Sequence, residues 1–385
     1  MTAATGQCEN GRMLFPSRAV VNLTAIRHNI DNLRSRTQAQ VMAVVKADAY
    51  GHGLGPVMRT AYDTGVRWFG IAQAGEALAA VDQVARDAKI LTWLYSPGMD
   101  LQPMVATGIH LSVSSPRQAQ QVAQAARQVG KPAHVHLKID TGMARGGARP
   151  EEWPALVEAV LDCPHLIPEA VWSHLARADE PTAATTAQQL DTFLAADQRA
   201  SELGLPKHLR HLAASAGLMF HPDAHLDLVR PGIALYGLPP DDSDPRDHGL
   251  VPAMRLEADL IHTKHVPDGT PVSYGHTATV PDTRLGVVPL GYADGIPRQA
   301  SNQLQVAING QLRPNVGRVC MDQFVVDLGA DSPAVDGDTA VIFGPTAPLA
   351  RDLARQADTI AYTVVTQLGP RVPRSYVRVE VDEWK

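Results

Sequence analysis

Short apolar runs alternate with more polar segments along the first two thirds of the chain. After an opening β-like run at 19–23, eight further runs have the length and apolar content typical of buried parallel strands. They lie at 41–46, 68–72, 89–95, 109–113, 133–139, 170–174, 208–213 and 226–230. Segments with apolar residues at helical spacing separate them, most clearly at 116–129, 150–161 and 185–203. Thr24 stands at the start of the first helical pattern and is its expected N-cap.

This alternation predicts an α/β fold. Eight βα units within about 200 residues favour a closed (β/α)8 barrel of the TIM type. An open, doubly wound sheet shares the rhythm, but the GxGxxG turn that usually follows its first strand is missing. The rhythm stops at 238–250, a segment rich in Pro and Asp that resembles a linker.

Beyond this segment the pattern changes to Val-, Thr- and Ile-rich runs separated by turn residues, which predicts a β-rich C-terminal domain. The runs lie at 254–266, 284–290, 304–308, 323–328, 339–343 and 375–381, with a helical run at 347–356. We expect a disordered N-terminus at 1–13, the barrel at 14–245 and the β-rich domain at 246–385. The place of the first strand stays open, because it could instead join the C-terminal sheet.

Composition argues against several classes of function. The 385 residues are 45% hydrophobic, so a large core can form, and the net charge of −6 argues against nucleic acid or an anionic membrane as partner. No apolar run reaches the roughly 18 residues of a membrane helix, and the N-terminus lacks a secretory pattern. Three scattered cysteines fit neither a metal spacing nor a disulfide set, so we expect a cytoplasmic protein.

Candidate chemistry lies where the predicted strands end, because barrel ligands bind at the carboxyl ends of strands. Lys46 ends an apolar strand. Desolvation lowers the pKa of a lysine and yields the nucleophilic amine that a Schiff base requires, although an ordinary ion pair explains the position equally well. Ser215, Gly232 and Ile233 follow the last two strands and offer donors to a phosphate. Together these features suggest pyridoxal phosphate.

Arg230, at the end of the last predicted strand, would decide the chemistry of such a cofactor. An arginine cannot accept a proton and would leave the pyridine nitrogen unprotonated. Reprotonation of the substrate carbanion is then fast, which favours racemisation over transamination or decarboxylation. A structural salt bridge is the other interpretation. His134 and His136 alternate along one strand with no third ligand nearby, so we expect no metal site.

Seven segments, taken together, resemble the alanine racemase family. The resemblance extends from about residue 15 to the C-terminus and implies a pyridoxal-phosphate-dependent amino-acid racemase built from a barrel and a β-rich domain. The segments are AVVKADAYGHG at 43–53, LKIDTGMARGG at 137–147, WSHLARADE at 172–180, VRPGIALYG at 229–237, VSYGHT at 272–277, VPLGYADGIPR at 288–298 and GRVCMDQFVVDL at 317–328.

The resemblance also implies roles for individual residues. Lys46 would bind the cofactor and act as base on one face of the substrate Cα. Tyr274 of the partner subunit of a homodimer would act on the opposite face. His174 would link Tyr274 to Arg230, and His211 would support Arg230 from behind. The remaining implied positions are Tyr50, Ser215, Gly232, Ile233 and Tyr236 at the phosphate, Arg145, Met321, Asp322 and Tyr292 at the substrate or entrance, and Lys138, which is often carbamylated in relatives.

Two departures from the family pattern affect the expected pocket. Ala214 replaces an Asn that often precedes the phosphate-binding serine, and Pro370 stands where many relatives have a tyrosine. The expected reaction is the interconversion of L- and D-alanine, supplying D-alanine for peptidoglycan. A racemase for serine or another amino acid, a decarboxylase and a non-enzymatic cofactor carrier are the alternatives. Arg230 argues against the decarboxylase, and the Tyr274 motif argues against the carrier.

Overall fold

The computed structural model describes residues 14–384, so the disorder expected for 1–13 concerns residues outside the described part. A ring of eight parallel strands forms the centre of the protein. The strands are β2 Gln40–Val44, β3 Trp68–Gln73, β4 Lys89–Leu94, β5 His110–Val113, β6 Ala133–Lys138, β7 Leu166–Trp172, β8 Leu209–His211 and β9 Leu228–Val229. β9 pairs with β2, and a bridge between Ala214 and Arg230 joins the ends of β8 and β9. The predicted (β/α)8 barrel is confirmed.

Helices follow most of these strands and cover the ring. Helix α5, Pro116–Val129, shows how the sequence sets their bounds. Ser115 Oγ accepts a hydrogen bond from Gln118 N, Pro116 fits the first turn, and Gly130 ends the helix with a left-handed φ of 72°. The helices are α1 Leu23–Ser35, α2 Leu54–Asp63, α3 Ala74–Ala80, α4 Gln102–Thr107, α5 Pro116–Val129, α6 Trp153–Leu161, α7 Ala184–Glu202 and α8 Ser215–Phe220.

The opening strand β1, Ser17–Asn22, lies in the C-terminal sheet. It pairs antiparallel with β10, Met254–Asp259, and parallel with β19, Arg374–Val377. The expected N-cap of α1 was wrong: Asn22, not Thr24, is the cap, because Asn22 Oδ1 accepts a hydrogen bond from Thr24 N at 3.0 Å. The strand therefore runs directly into the first barrel helix.

The C-terminal part is β-rich, as expected. A six-stranded sheet has the order β16-β15-β18-β10-β1-β19, a three-stranded sheet has the order β11-β14-β17, and β12 pairs with β13. The strands are β10 Met254–Asp259, β11 His262–Val266, β12 Thr270–Val272, β13 Ala278–Val280, β14 Thr283–Val288, β15 Gln305–Ile308, β16 Gln311–Pro314, β17 Phe324–Asp327, β18 Thr339–Phe343 and β19 Arg374–Val377. The helices are α9 Ala350–Gln356, α10 Ala361–Thr366 and α11 Val381–Trp384.

The segment predicted as a linker is held against both parts of the chain. Asn32 Nδ2 of α1 donates a hydrogen bond to Gly249 O at 2.8 Å, and Arg351 of α9 pairs with Asp244 at 3.2 Å. Turn-forming residues therefore give a fixed connection here. Within residues 14–384, none of the helices combines the length and apolar content needed to cross a membrane.

Candidate active site

Lys46 follows β2 and begins a left-handed turn. The predicted strand 41–46 is too long, because β2 ends at Val44. The four residues after Lys46, Ala47 to Tyr50, have φ between 53° and 54° although none is glycine. This conformation costs roughly 1–2 kcal/mol per residue. Glu76 of α3 holds the turn: its carboxylate accepts hydrogen bonds from Ala47 N at 3.1 Å and Asp48 N at 2.7 Å.

The turn places the Lys46 amine at the barrel mouth between aromatic rings. Nζ lies 5.8 Å from the centroid of the Tyr50 ring and 6.0 Å from that of Trp93. Burial, followed by the positive charge of Arg145, lowers the pKa of Lys46, while Glu76 opposes this shift. A larger fraction of neutral, nucleophilic amine follows from that lowered pKa.

Four of the predicted phosphate positions lie together at the barrel mouth. Ser215 Oγ accepts hydrogen bonds from Gly232 N at 2.9 Å and Ala234 N at 3.3 Å, which leaves its own proton to donate. A Cβ on Gly232 would lie 2.4 Å from Tyr50 Oη, so only glycine leaves space there. Burial raises the pKa of Tyr50 and keeps its hydroxyl a donor. Ile233 begins the 3-10 turn that follows Gly232.

Two tyrosines beside this group differ from expectation. Tyr236 is fully buried and its hydroxyl donates to Val44 O at 3.0 Å. The hydroxyl proton is therefore already engaged within the protein and is not offered to a phosphate. Tyr362 of α10, which the sequence analysis missed, brings its ring centroid to 6.2 Å from that of Tyr50. Pro370, the position at which the family pattern has a tyrosine, is exposed. Tyr362 comes from the C-terminal part of the chain, and no local motif marks it.

Arg230 lies at the closing bridge of the barrel and is buried. Its guanidinium donates to His211 Nδ1 at 2.9 Å, to His174 Nδ1 at 3.3 Å and to the carbonyls of Ser173 and Leu212. Burial lowers the pKa of Arg230 to about 9, so its charge persists at neutral pH. Burial, and then the charge of Arg230, lowers the pKa of His174 to about 3, so this imidazole stays neutral and accepts. The salt bridge considered for Arg230 is absent among residues 14–384.

Lys138 and Arg145 add further positive charge to the mouth. Lys138 Nζ lies 4.4 Å from the centroid of the Trp172 ring, and the Arg230 guanidinium lies 5.0 Å from the same centroid. Burial, and then Arg230 and Arg145, lowers the pKa of Lys138 to about 8. Arg145 is exposed and its charge acts on Lys46, Lys138 and His174 alike. The mouth is therefore suited to an anionic ligand.

The remaining predicted residues line a separate groove of about 670 Å³ in the C-terminal part of the chain. Tyr274, Tyr292, Met321 and Asp322 all line it. The Tyr274 side chain is 73% exposed. Arg371, which the sequence analysis missed, pairs with Asp322 at 2.7 Å and fixes one wall. The structure thus brings the predicted residues together as two groups, one at the barrel mouth and one in this groove.

A histidine cluster at the opposite end of the barrel also differs from expectation. Predicted strand 170–174 starts earlier, at Leu166, and the β6–β7 register skips Glu169, so this residue forms a bulge. Glu169 Oε2 lies 3.0 Å from His134 Nδ1, and Lys89 Nζ donates to Glu169 Oε1 at 2.9 Å. The expectation of no third potential ligand near His134 was therefore wrong, because His110 and Glu169 each place a ligand atom within 4.8 Å of that of His134.

Comparison with known proteins gives one consistent family. The model of the alanine racemase N-terminal domain matches residues 21–240, and that of the alanine racemase C-terminal domain matches residues 253–376. A protein named alanine racemase from Beutenbergia cavernae is 50% identical over 374 residues, covering 95% of this chain and 99% of the relative.

Solved structures agree with the sequence matches. Alanine racemase from Streptomyces coelicolor A3(2) superposes with a TM-score of 0.92 at 46% identity, covering 95% of this chain and 99% of its own. Alanine racemase from Bartonella henselae, described with covalently bound pyridoxal phosphate, has a TM-score of 0.85 at 28% identity, covering 94% and 99%.

Proposed function

The chain belongs to the alanine racemase family and is an isomerase, and on that basis we propose that it interconverts L-alanine and D-alanine with pyridoxal phosphate. The observation that carries the proposal is the pairing at one barrel mouth of an amine with a lowered pKa, Lys46, and a buried guanidinium that only donates, Arg230.

The mouth fits the chemistry of pyridoxal phosphate. The Tyr50 and Ser215 hydroxyls, with the backbone at Gly232 and Ile233, provide donors for a phosphate, and the absence of a Cβ on Gly232 leaves room for it. The cofactor, once bound through Lys46, supplies an electron sink that acidifies the substrate Cα–H. Tyr236 supports this pocket by packing, since its hydroxyl already donates to Val44 O.

Arg230 would influence the type of reaction because a guanidinium cannot accept a proton. Its guanidinium is held by two neutral imidazoles and two carbonyls, and it would donate a hydrogen bond to the pyridine nitrogen without accepting a proton. Negative charge at the substrate Cα would then be delocalised less, and a proton would return to Cα quickly. This favours inversion at Cα over loss of the amino or carboxyl group.

Two bases on opposite faces complete the inversion. Lys46 would remove or return the proton on one face of Cα. Tyr274 would serve the other face, and it comes from the partner subunit of a homodimer. Its 73% exposure, in a groove that barrel residues do not line, supports this assignment. His174, whose Nδ1 accepts a hydrogen bond from Arg230, would link Arg230 to Tyr274 through its other ring nitrogen.

The proposed substrate is small and carries a carboxylate. Arg145 at the mouth, and the backbone N–H of Met321 beside Asp322 in the partner's groove, would bind the carboxylate, and Tyr292 would line the entrance. D-alanine made in the cytoplasm would supply peptidoglycan. A few extra atoms change selectivity by only about 1–3 kcal/mol, so slower inversion of serine is expected.

Chiral chromatography of the pyridoxal-phosphate-loaded protein after incubation with single L-amino acids tests the proposal. We expect L-alanine to be inverted fastest. Lys46→Ala should lower the rate by at least roughly 10³-fold, since it removes both the cofactor attachment and a base. Lys207→Ala is the matched control, because Lys207 is an exposed lysine that precedes β8, at the end of the barrel opposite the mouth. Inversion of another amino acid ahead of alanine would move the role to a specialised pathway, and no inversion at all would end the proposal.

A further inference from the structure

A continuous line of buried imidazoles connects Arg230 with the opposite end of the barrel. Arg230 donates to His211 Nδ1 at 2.9 Å, His211 Nε2 lies 2.9 Å from His136 Nδ1, and His136 Nε2 lies 3.1 Å from His110 Nδ1. The three rings are at most 3% exposed. His211 is the last residue of β8 and His110 the first of β5, so the line spans the length of the parallel strands.

Arg230 fixes the direction of every hydrogen bond in this line. A guanidinium only donates, so His211 Nδ1 accepts. Burial lowers the pKa of all three imidazoles, to about 3 for His110, and each ring therefore carries one N–H. His211 must then hold its proton on Nε2 and donate to His136. By the same logic His136 donates to His110, whose proton is also on Nε2.

This polarity aligns the imidazole dipoles with two charges. Each lone pair faces the Arg230 cation, and each N–H faces the end of the barrel where the Glu169 carboxylate lies. Hydrogen bonds from His134 and then Lys89 hold the pKa of Glu169 well below its usual range, so this end is anionic. The same polarity leaves a proton on His110 Nε2, which argues against a metal ion held by His110, His134 and Glu169.

We propose that His136 and His110 are positioning residues that, with His211, form a one-directional relay fixing the orientation and charge of Arg230 from the far end of the barrel. The proposal rests on the proposed function, in which Arg230 faces the pyridine nitrogen. Arg230 has no carboxylate partner among the described residues, so an aligned chain of neutral dipoles replaces the usual counter-ion. Hydrogen-bond chains of this kind strengthen each member cooperatively.

Variants of His136 test the relay, because this ring lies two hydrogen bonds away from any group that would touch the cofactor. His136→Leu removes both donor and acceptor, and we expect kcat for alanine to fall about tenfold with KM changed less than about twofold. His136→Gln restores a donor and an acceptor and should recover most of kcat. His208→Leu is the matched control, because His208 pairs with Asp197 before β8 and contacts no member of the relay, and this variant should stay within about twofold of the wild type. A folded His136→Leu enzyme that behaves like His208→Leu would overturn the proposal.

Nitrogen NMR of the histidine-labelled wild type tests the relay without reference to catalysis or to a variant's folding. We expect His211, His136 and His110 to be neutral Nε2–H tautomers from pH 6 to pH 8, with scalar coupling across the His211–His136 and His136–His110 bonds. An Nδ1–H tautomer or a charged ring at any of the three would overturn the relay. If the wild type inverted no amino acid while the tautomers were as expected, the proposed function would fail and the relay would remain as a structural feature.

Discussion

At the scale of single residues, burial and neighbouring cations set the chemistry of the barrel mouth. Lys46, Lys138 and His174 all have a lowered pKa, with desolvation as the largest cause and Arg145 or Arg230 as the next. The identities of these residues were readable from the sequence because they follow strand ends. Their protonation could not be predicted, because it depends on charges that only the closed barrel brings together.

Lys138 gives a prediction with a defined pH. Carbamylation needs the neutral amine, which attacks CO₂ and releases a proton. Because burial lowers the pKa of Lys138 to about 8, the neutral form dominates above about pH 8 and the cation below it. Carbon NMR of protein equilibrated with ¹³C-bicarbonate should show a carbamate signal that grows through pH 8 and is missing in Lys138→Arg. A signal that grew only near pH 10.5 would show an ordinary, solvated lysine.

Tyr274 gives a prediction that separates the two faces of the substrate. In deuterated water, Tyr274→Phe should still exchange the α-hydrogen of one alanine enantiomer, through Lys46, and should exchange that of the other at least roughly 10²-fold more slowly. Mass spectrometry of each recovered enantiomer measures this, with Tyr62→Phe on the outer helix α2 as control. Equal loss of exchange from both enantiomers would contradict a separate base on each face.

At the scale of elements, the sequence predicted the strands better than the turns that carry the chemistry. Apolar runs predicted all eight barrel strands. The predicted start of β7 was too late, because Pro168 and Glu169 interrupt its apolar pattern. The left-handed turn after Lys46 gave no signal, because its residues are Ala, Asp, Ala and Tyr instead of glycine. What stabilises it is Glu76, 28 residues or more away along the chain, and such a partner is not visible in a local pattern.

Glu76 is therefore expected to matter for catalysis. Glu76→Ala removes the acceptor of two backbone hydrogen bonds in a strained turn, so the turn should relax and misplace Lys46. We expect kcat and the affinity for pyridoxal phosphate to fall by about tenfold or more, because hydrogen bonds to a charged group contribute about 1.5–3 kcal/mol. Glu158→Ala, at an exposed site on α6, serves as control. Hydrogen exchange should accelerate at Ala47 and Asp48 in the first variant alone; unchanged exchange there would refute the role of Glu76.

The junction of β1 and α1 offers a second element-scale prediction. Asn22 caps α1 and also joins the C-terminal tail, donating to Val379 O at 2.9 Å and accepting from Val379 N at 3.3 Å. Asn22→Ala should lower the free energy of unfolding by about 2–3 kcal/mol, because it removes the helix cap and the hydrogen bonds to Val379. Thr24→Ala should change it by less than about 0.5 kcal/mol. Denaturant unfolding of both variants measures the difference, and the reverse order would restore Thr24 as the cap.

At the scale of the whole molecule, the chain divides its predicted site residues between two places. The barrel mouth holds Lys46 and Arg230, and the C-terminal groove holds Tyr274 and Met321. The sequence motifs supplied nearly all of these positions. The proposed meeting of the two places through a second subunit could not be predicted from hydrophobic patterning, which reports on the packing of a single chain. Tyr362 was missed for a related reason: α10 reaches the barrel mouth only through the tertiary fold.

Complementation between two inactive variants tests the shared active site most directly. Lys46→Ala and Tyr274→Phe homodimers should each be nearly inactive for alanine racemisation. After subunit exchange, confirmed by native mass spectrometry, mixed dimers contain one site with both Lys46 and Tyr274 intact. In an equal mixture, activity should recover to about a quarter of the wild type, because half the dimers are mixed and each has one working site. Full exchange with no recovery of activity would contradict an active site that takes its two bases from two chains.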